Sequence, residues 1–265
     1  MANRLLFFVA MHKDAPLPMR SDIFAALGLG GYHPTTTLEA LSDDSGDSIS
    51  HKNAQYSELT GWYWIWKNVS DLDIVGLCHY RRYFFLWPYD PQFTSQKFYL
   101  EPTANNLAML SATTTSLFVE NALVSTDVIV PRRQYLGMTI SEHYARFHRR
   151  KDWDLFMDAI RETCPDLCSH LDWFDLTSEA HFYTMMIARK PYFDAYMSRL
   201  FTLLDWMEPR NELSTDTYQR RVPAFIAERF FSFYLHATAT RICEVPVAIL
   251  DKSAFLDKPP FLVGD

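Results

Sequence analysis

A chain of 265 residues, 48% hydrophobic and 22% charged, has the composition of one folded domain rather than of a disordered segment. Its formal net charge of −7 argues against general nucleic-acid binding, which favours a basic chain. The 8 glycines are few compared with about 19 at average usage, and none lies in the clustered pattern of a dinucleotide or P-loop phosphate site.

Membrane, export and disulfide signals are weak in this sequence. No stretch reaches the roughly 18 consecutive uncharged apolar residues of a membrane span. The apolar run 5–11 is short and no small-residue cleavage site follows it, so a buried first strand is a better interpretation than a signal peptide. Four cysteines are too few for a disulfide scaffold, and Cys164 and Cys168 have no second ligand pair nearby. We therefore expect a reduced, cytoplasmic protein.

Short apolar runs with the length and β-branched content of buried strands alternate with helical patterns. This alternation predicts an α/β fold with a mostly parallel central sheet flanked by helices, in a single domain over 1–265. Strands are predicted at 5–11, 74–78, 128–130, 183–188 and 245–250, and helices at 50–68 and near 113–124, 139–149, 152–163, 191–207 and 223–238. Ser50 is the predicted N-cap of the helix over 50–68, and Asn68 is its predicted stop.

Two segments stand apart from this alternation. Residues 84–103 carry Pro88, Pro91 and Pro102 among aromatic residues, and this composition predicts a long loop or lid. Residues 251–265 form an apolar and aromatic tail, which either packs on the domain or supports peripheral association with the inner face of a membrane.

Positively charged residues follow four of the predicted strands, in the pairs His12-Lys13, Arg81-Arg82, Arg132-Arg133 and Arg189-Lys190. Ligands of open α/β sheets bind outside the carboxyl ends of the strands. If the four strands are parallel, an acidic chain gathers cations at its ligand edge, which suits a phosphate or diphosphate. The alternative is that strand ends carry charge because they meet solvent.

The segment before the aromatic helix is rich in turn-forming and hydroxyl residues, including Asp47, Ser50, Lys52 and Asn53. Free backbone N–H groups at a helix start can bind an anion or a hydroxylated ligand, although plain turn and capping chemistry explains the same residues. Within the helix, the spacing of Tyr56 and the apolar residues after it predicts a buried face.

The densest candidate site is the stretch 77–84, which contains His79, Tyr80, Arg81 and Arg82. Two adjacent arginines on an extended chain point to opposite sides, so one can face a ligand while the other pairs with an acid such as Glu58. Arginine presents a fixed fork of donors to phosphate oxygens, and histidine can donate or relay a proton.

These motifs resemble a bacterial glycosyltransferase family of capsule, exopolysaccharide and lipopolysaccharide clusters, long catalogued as a domain of unknown function. Its helix and strand motifs are matched by Asn53, Tyr56, Glu58, Leu59, Thr60, Tyr63, Trp64, Trp66, Lys67 and Asn68, and by Gly76, Leu77, His79, Tyr80, Arg81, Arg82, Tyr83 and Phe84. Further matches are His12-Lys13 after the first strand, the segment 46–53, where Ser48 stands in place of an expected Asn, and Ala227-Glu228-Arg229. Thr184 departs from the family, which usually has Asn at that position.

The resemblance implies a GT-A-like fold and transfer of a sugar from a nucleotide-diphosphate sugar to a glycan or lipid-linked acceptor. Many GT-A enzymes hold a metal with an Asp-x-Asp motif after a central strand, but Asp71 and Asp73 precede the second strand here, and Asp152 and Asp154 open a helix. We therefore expect no cofactor and metal-independent transfer, in which Arg, His and Lys neutralise the leaving diphosphate. A divalent metal is not excluded.

The candidate catalytic residues are Glu228, His79, Arg81 and Arg82, and the candidate donor-binding residues are His12, Lys13, Asp47, Ser50, Lys52, Asn53, Tyr56, Glu58, Tyr80 and Arg229. A base for the acceptor hydroxyl, needed if the reaction inverts, is expected at Glu228, at Glu179 with His181, or at Asp47. Glu228 can instead form an internal ion pair with Arg229. The competing functions are a non-catalytic domain that binds a phosphosugar or glycan, and a phosphodiester hydrolase that uses His79.

Overall fold

A computed structural model describes residues 3–18, 20–36, 38–86, 96–212 and 214–251 of the chain. The strands are β1 (Leu5–Met11), β2 (Phe24–Gly28), β3 (Glu39–Ser42), β4 (Ile74–His79), β5 (Arg82–Phe84), β6 (Lys97–Leu100), β7 (Val128–Pro131), β8 (Gln134–Tyr135), β9 (Glu179–Ala180), β10 (Ile187–Arg189), β11 (Ile242–Val245) and β12 (Val247–Leu250).

The helices lie mostly between strands of the central sheet. They are α1 (Asn53–Tyr56), α2 (Leu59–Asn68), α3 (Ala104–Leu110), α4 (Thr113–Ser125), α5 (Ile140–Phe147), α6 (Arg150–Thr163), α7 (Leu171–Leu176), α8 (Lys190–Met207) and α9 (Val222–Ala237). Short 3₁₀ helices cover Ser50–Lys52, Pro165–His170, Glu208–Arg210 and Gln219–Arg221.

The central sheet has the strand order β11-β7-β10-β4-β1-β2-β3. Every pairing along this path is parallel except those of β10, which runs antiparallel to both β4 and β7. The strands β5, β6 and β12 extend the sheet through further pairings with one another and with β4. This arrangement confirms the predicted α/β class with a mostly parallel sheet and flanking helices.

Apolar residues on both faces of the strands explain why the sheet is covered on both sides. In β1, Phe8 and Ala10 belong to a core under α2, α5, α6, α8 and α9, whereas Phe7 and Val9 belong to a second core under α3 and α4. Successive side chains of a strand point to opposite faces, so a continuous apolar run fills both cores. Gly76 in the neighbouring β4 leaves room for the ring of Phe7.

The structure corrects several predicted elements. The helix predicted over 50–68 is divided, because Ser57 has a φ of 51° between α1 and α2, and its predicted N-cap, Ser50, lies inside a 3₁₀ helix. The strand predicted over 183–188 is reduced to β10, since Tyr183 and Thr184 have positive φ angles. The strand predicted over 245–250 is divided between β11 and β12.

Of the two segments set apart in the sequence, the structure describes part of each. Residues 97–100 of the predicted lid form β6, and 87–95 lie outside the described residues. The C-terminal tail lies outside them from residue 252 onward.

Residues 104–125, which comprise α3 and α4, have the length and hydropathy of a membrane-spanning helix, with a third of the apolar window buried. A helix packed on the core of a globular domain meets the same criteria.

Candidate active site

A cleft of about 850 Å³ opens at the carboxyl ends of β1 and β4. This is the edge at which open α/β sheets bind ligands. Of the fourteen candidate residues, the nine that line the cleft are His12, Asn53, Glu58, His79, Tyr80, Arg81, Arg82, Glu228 and Arg229. They come from four separate parts of the sequence, which the fold brings together.

The two arginines after β4 present positive charge to the cleft. The guanidinium of Arg81 lies 5.2 Å from the centre of the Tyr80 ring, and that of Arg82 lies 4.9 Å from the centre of the Tyr183 ring. Neither arginine forms an ion pair with a carboxylate among the described residues. Arginine in this state has its donors available for an anionic ligand. The predicted pairing of an arginine with Glu58 is therefore absent from the described contacts.

His79 is neutral at pH 7 in this setting. Burial, followed by the positive charge of Arg82, lowers the pKa of His79 to about 4. Its Nε2 lies 3.2 Å from the carbonyl oxygen of Tyr183, an acceptor, so Nε2 carries the proton and Nδ1 is free to accept one. Burial also lowers the pKa of His12, as do Lys13 and Arg81. Neither histidine supplies the positive charge expected of it, and the positively charged side chains that line the cleft are arginines.

Glu228 forms the ion pair with Arg229 that the sequence left open as one of its two roles. One carboxylate oxygen lies 2.9 Å from Nη1 of Arg229, and the other accepts a hydrogen bond of 3.3 Å from the backbone N–H of Tyr183. Burial nevertheless raises the pKa of the Glu228 carboxyl, and the neighbouring charge of Glu58 raises it further. The ion pair lies within α9, and the hydrogen bond from Tyr183 connects α9 to the segment before β10. The cleft thus contains a carboxyl group with increased proton affinity.

A strained backbone segment forms part of the cleft floor. Tyr183 and Thr184 have φ angles of 78° and 48°, in the region that glycine and asparagine favour. Tyr183 contacts both His79 and Glu228 through its backbone, and the Thr184 hydroxyl lies 3.1 Å from a carboxylate oxygen of Glu58. Strained residues persist where surrounding contacts fix them, and they concentrate at functional sites.

Five candidate residues lie outside the cleft lining. Lys13 is exposed beside the cleft, with Nζ 5.7 Å from the Tyr80 ring centre. Asp47 accepts a hydrogen bond from Tyr63, and Ser50 donates one to Asp43. Lys52 pairs with Glu208 at 2.7 Å above the ring of the buried Tyr56. The last four therefore have structural contacts that explain them, and we do not carry them into the proposed donor site.

The antiparallel direction of β10 corrects the expectation of four strands that bring cations to one edge. Arg189 pairs in register with Ile74, the first residue of β4, so Arg189 and Lys190 lie at the opposite edge from the cleft. Arg133 binds Glu244 and Glu179 and lines a separate cavity of about 460 Å³. Because β7 is parallel to β4, Arg132 and Arg133 follow a strand that ends at the same edge as the cleft, although neither residue lines it. Of the four pairs, Arg189-Lys190 is the one at the other edge.

Other acidic candidates are also engaged away from the cleft. Asp71 pairs with Arg4, and Asp152 with Arg149 at 2.8 Å. Glu179 and His181 line the separate cavity, where Nε2 of His181 lies 2.6 Å from Glu244. Among the described residues, no group of three or more His, Cys, Asp or Glu side chains could hold a metal ion.

Sequence reasoning did not identify one half of the cleft as a site. This half is formed by α5, β8 and the start of α9, and it contributes Tyr135, His143, Phe147, His148, Tyr218, Arg221 and Phe225. His143 and His148 are five positions apart, which is not the i, i+4 spacing of a helical metal pair, so their spacing gives no signal of a site. The surplus of aromatic residues in the sequence was the available signal, but it did not indicate which of them remain exposed.

Comparison with known proteins gives one family match and one similar solved structure. A family model described as a domain of unknown function, DUF4422, matches residues 7–239. Among solved structures, the apo structure of the bifunctional glycosyltransferase WbbM is similar, with a TM-score of 0.83 at 22% sequence identity. The match covers 94% of this chain and 46% of that one, so this chain spans less than half the length of WbbM. No curated protein matches the sequence.

Proposed function

The chain belongs to the DUF4422 family, and we propose that it is a glycosyltransferase that uses a nucleotide-diphosphate sugar and a glycan or lipid-linked acceptor. The observation that carries this proposal is the meeting, in one cleft, of Arg81 and Arg82 with Glu228, a carboxyl group of raised pKa. The resemblance of the central motif to surface-polysaccharide glycosyltransferases and the fold shared with WbbM support it.

In the proposed reaction, the acceptor oxygen forms a bond to the anomeric carbon as the bond from that carbon to the diphosphate breaks. The leaving nucleoside diphosphate takes the electron pair, and Arg81 and Arg82 stabilise its developing charge through charge-assisted hydrogen bonds. Glu228 accepts the proton of the acceptor hydroxyl. Its raised pKa makes it a stronger base than an ordinary glutamate. In-line attack of this kind inverts the anomeric centre.

The residues of the cleft do not fit a divalent cation held in the manner of an Asp-x-Asp motif. The positions that follow β4 are occupied by basic side chains, and the acidic pairs noted in the sequence lie elsewhere. We therefore propose that transfer is metal-independent. Full turnover in EDTA supports this, whereas a requirement for manganese or magnesium, with recovery when the metal is restored, would contradict it.

The test of the proposed function is nucleotide release from a panel of nucleotide sugars, measured with and without glycan acceptors. Release that depends on an acceptor supports transfer. Nucleotide binding without release under any acceptor would favour the non-catalytic alternative.

A variant separates the base role of Glu228 from its ion pair. Glu228→Gln keeps a hydrogen-bond acceptor for Tyr183 but cannot take a proton, so we expect turnover to fall by about a hundredfold or more. Donor affinity and thermal stability are expected to stay close to those of the parent. Glu179→Gln, outside the cleft, is the matched control. Equal losses of stability and turnover in Glu228→Gln would assign Glu228 to a structural ion pair instead.

A further inference from the structure

The half of the cleft beyond Glu228 carries aromatic side chains that have no part in the reaction described above. Tyr135 in β8, Phe147 at the end of α5 and Tyr218 before α9 all line the cleft, and we call these three residues the aromatic rim. Their exposed fractions are 73%, 52% and 53%. One exposed aromatic residue is ordinary on a protein surface, but three around one cleft indicate a surface that a ligand covers.

Two residues of the rim, Phe147 and Tyr218, are supported by contacts with neighbouring rings. His148 lies between Tyr218 and Phe225, with ring centres 5.9 Å and 3.9 Å away. His143 lies 5.0 Å from the Phe147 ring centre. A platform fixed by its neighbours costs little entropy when a ligand binds to it.

The groups around the rim suit a ligand rich in hydroxyl groups. Burial lowers the pKa of His148 to about 4, and burial and Arg229 lower that of His143, so both rings are neutral at pH 7 and can donate or accept hydrogen bonds. Nε of the buried Arg229 has no hydrogen-bond partner among the described residues. Arg221, over the Phe225 ring, donates to Ser57 and retains further donors for hydroxyl oxygens.

The position of the rim distinguishes it from the donor end of the cleft. Ala10, His12 and Leu29, which belong to or follow β1 and β2, line the part of the cleft at those strands, and under the proposed function we assign the nucleoside to this part. Glu228 and Arg229 lie on α9, which also carries Phe225 of the rim support. An acceptor on the rim would therefore approach Glu228 from the side away from the nucleoside.

We propose that the aromatic rim binds the acceptor as a carbohydrate, with the C–H face of a sugar ring stacked on Phe147 and Tyr218. This inference rests on the proposed transferase function and adds to it the surface that binds the carbohydrate of the acceptor. Sugar rings combine an apolar face with a polar edge, which matches aromatic rings surrounded by neutral donors and acceptors.

The binding test measures saturation-transfer NMR of the full chain with methyl glycosides of common hexoses and N-acetylhexosamines. We expect saturation to pass from the parent protein to the ring C–H protons of the glycoside. The affinity for the glycoside should be about five-fold weaker in Phe147→Ala and in Tyr218→Ala. Tyr218→Phe, which keeps the ring, is expected to retain affinity. Tyr99→Ala, an exposed aromatic outside the cleft, is the control and is expected to bind as the parent does.

A parallel titration with UDP and GDP keeps the outcomes distinct. Nucleotide affinity unchanged in the rim variants supports an acceptor site. If nucleotide affinity falls together with glycoside affinity, the rim is a platform for the nucleobase and the proposal is overturned. The proposal is also overturned if the glycosides do not bind the parent protein, or if they bind the parent and all variants equally. Rim-dependent glycoside binding without any nucleotide release would leave the carbohydrate site standing while the proposed transferase function fails.

Discussion

At the residue scale, the cleft depends on how neighbouring charges set the protonation of single side chains. The sequence places His79, Arg81 and Arg82 together at the end of a strand, and this juxtaposition was predictable from the motif. The protonation of His79 was not, because it depends on burial and on a carbonyl group of Tyr183 that lies over a hundred positions away in the sequence. Such long-range contacts have no signature in local spacing.

The raised pKa of Glu228 leads to a prediction about pH. A base works only when ionised, so the acid limb of kcat/KM should lie above the usual titration range of glutamate. Glu58→Gln removes the neighbouring negative charge that helps to raise this pKa, and the acid limb should then move to lower pH. Glu142→Gln, on an exposed turn of α5, serves as the control. An acid limb that Glu58→Gln leaves in place would show that another group is the base.

Thr184 offers a test of backbone strain. A β-branched residue at a φ of 48° is unfavourable, whereas asparagine tolerates this conformation and can still donate to Glu58. We expect Thr184→Asn to raise the free energy of unfolding by about 1 kcal/mol, as measured by urea denaturation. Thr184→Val keeps the strain and loses the hydroxyl, so it should lower stability. A destabilised Thr184→Asn protein would mean that the hydroxyl contact outweighs the strain.

At the element scale, local pattern located most of the long helices and the buried strands, because each has its own periodicity of apolar residues. Pattern did not divide the helix over 50–68, since the break depends on Ser57, whose hydroxyl accepts a hydrogen bond from Arg221. It also missed β2, which pairs with β1, and β3, which pairs with β2, since these pairings form only in the folded sheet. The sequence also predicts a ligand-binding role for the segment before this helix. In the structure that segment is organised around the fully buried carboxylate of Asp43.

Asp43 connects three elements and should therefore be important for stability. Its side chain accepts hydrogen bonds from the Gly30 N–H at 3.1 Å, from the Ser50 hydroxyl at 2.7 Å and from the Thr60 hydroxyl. Asp43→Ala would leave these donors buried without an acceptor, and we expect a loss of about 3 kcal/mol in urea denaturation. Asp44→Ala, next to it but more exposed and paired with His33, should change stability by about 0.5 kcal/mol or less. Similar effects of the two substitutions would show that the Asp43 contacts contribute little.

At the scale of the whole molecule, the direction of one strand decides where positive charge acts. The net charge of −7 conceals a local reversal at the cleft, where Arg81 and Arg82 have no carboxylate partner among the described residues. The sequence could suggest that cations gather at strand ends, but it could not show that β10 is antiparallel. That direction follows from the pairing of β10 with β4 on one side and β7 on the other. Both of these strands lie more than fifty positions before β10 in the sequence.

This topology predicts that chemically identical substitutions differ in effect according to the sheet edge they occupy. Arg82→Gln removes a cation from the cleft, and we expect affinity for UDP or GDP to fall by about ten- to a hundredfold in calorimetric titration, the range of charge-assisted hydrogen bonds. Arg189→Gln removes the same charge at the opposite edge, where Arg189 donates to the carbonyl oxygen of Leu123, and affinity should stay within about twofold. Added salt should weaken nucleotide binding less in Arg82→Gln than in Arg189→Gln, since fewer ionic contacts remain to be screened. If both variants lose affinity equally, the diphosphate responds to net charge alone and does not bind at the carboxyl end of β4.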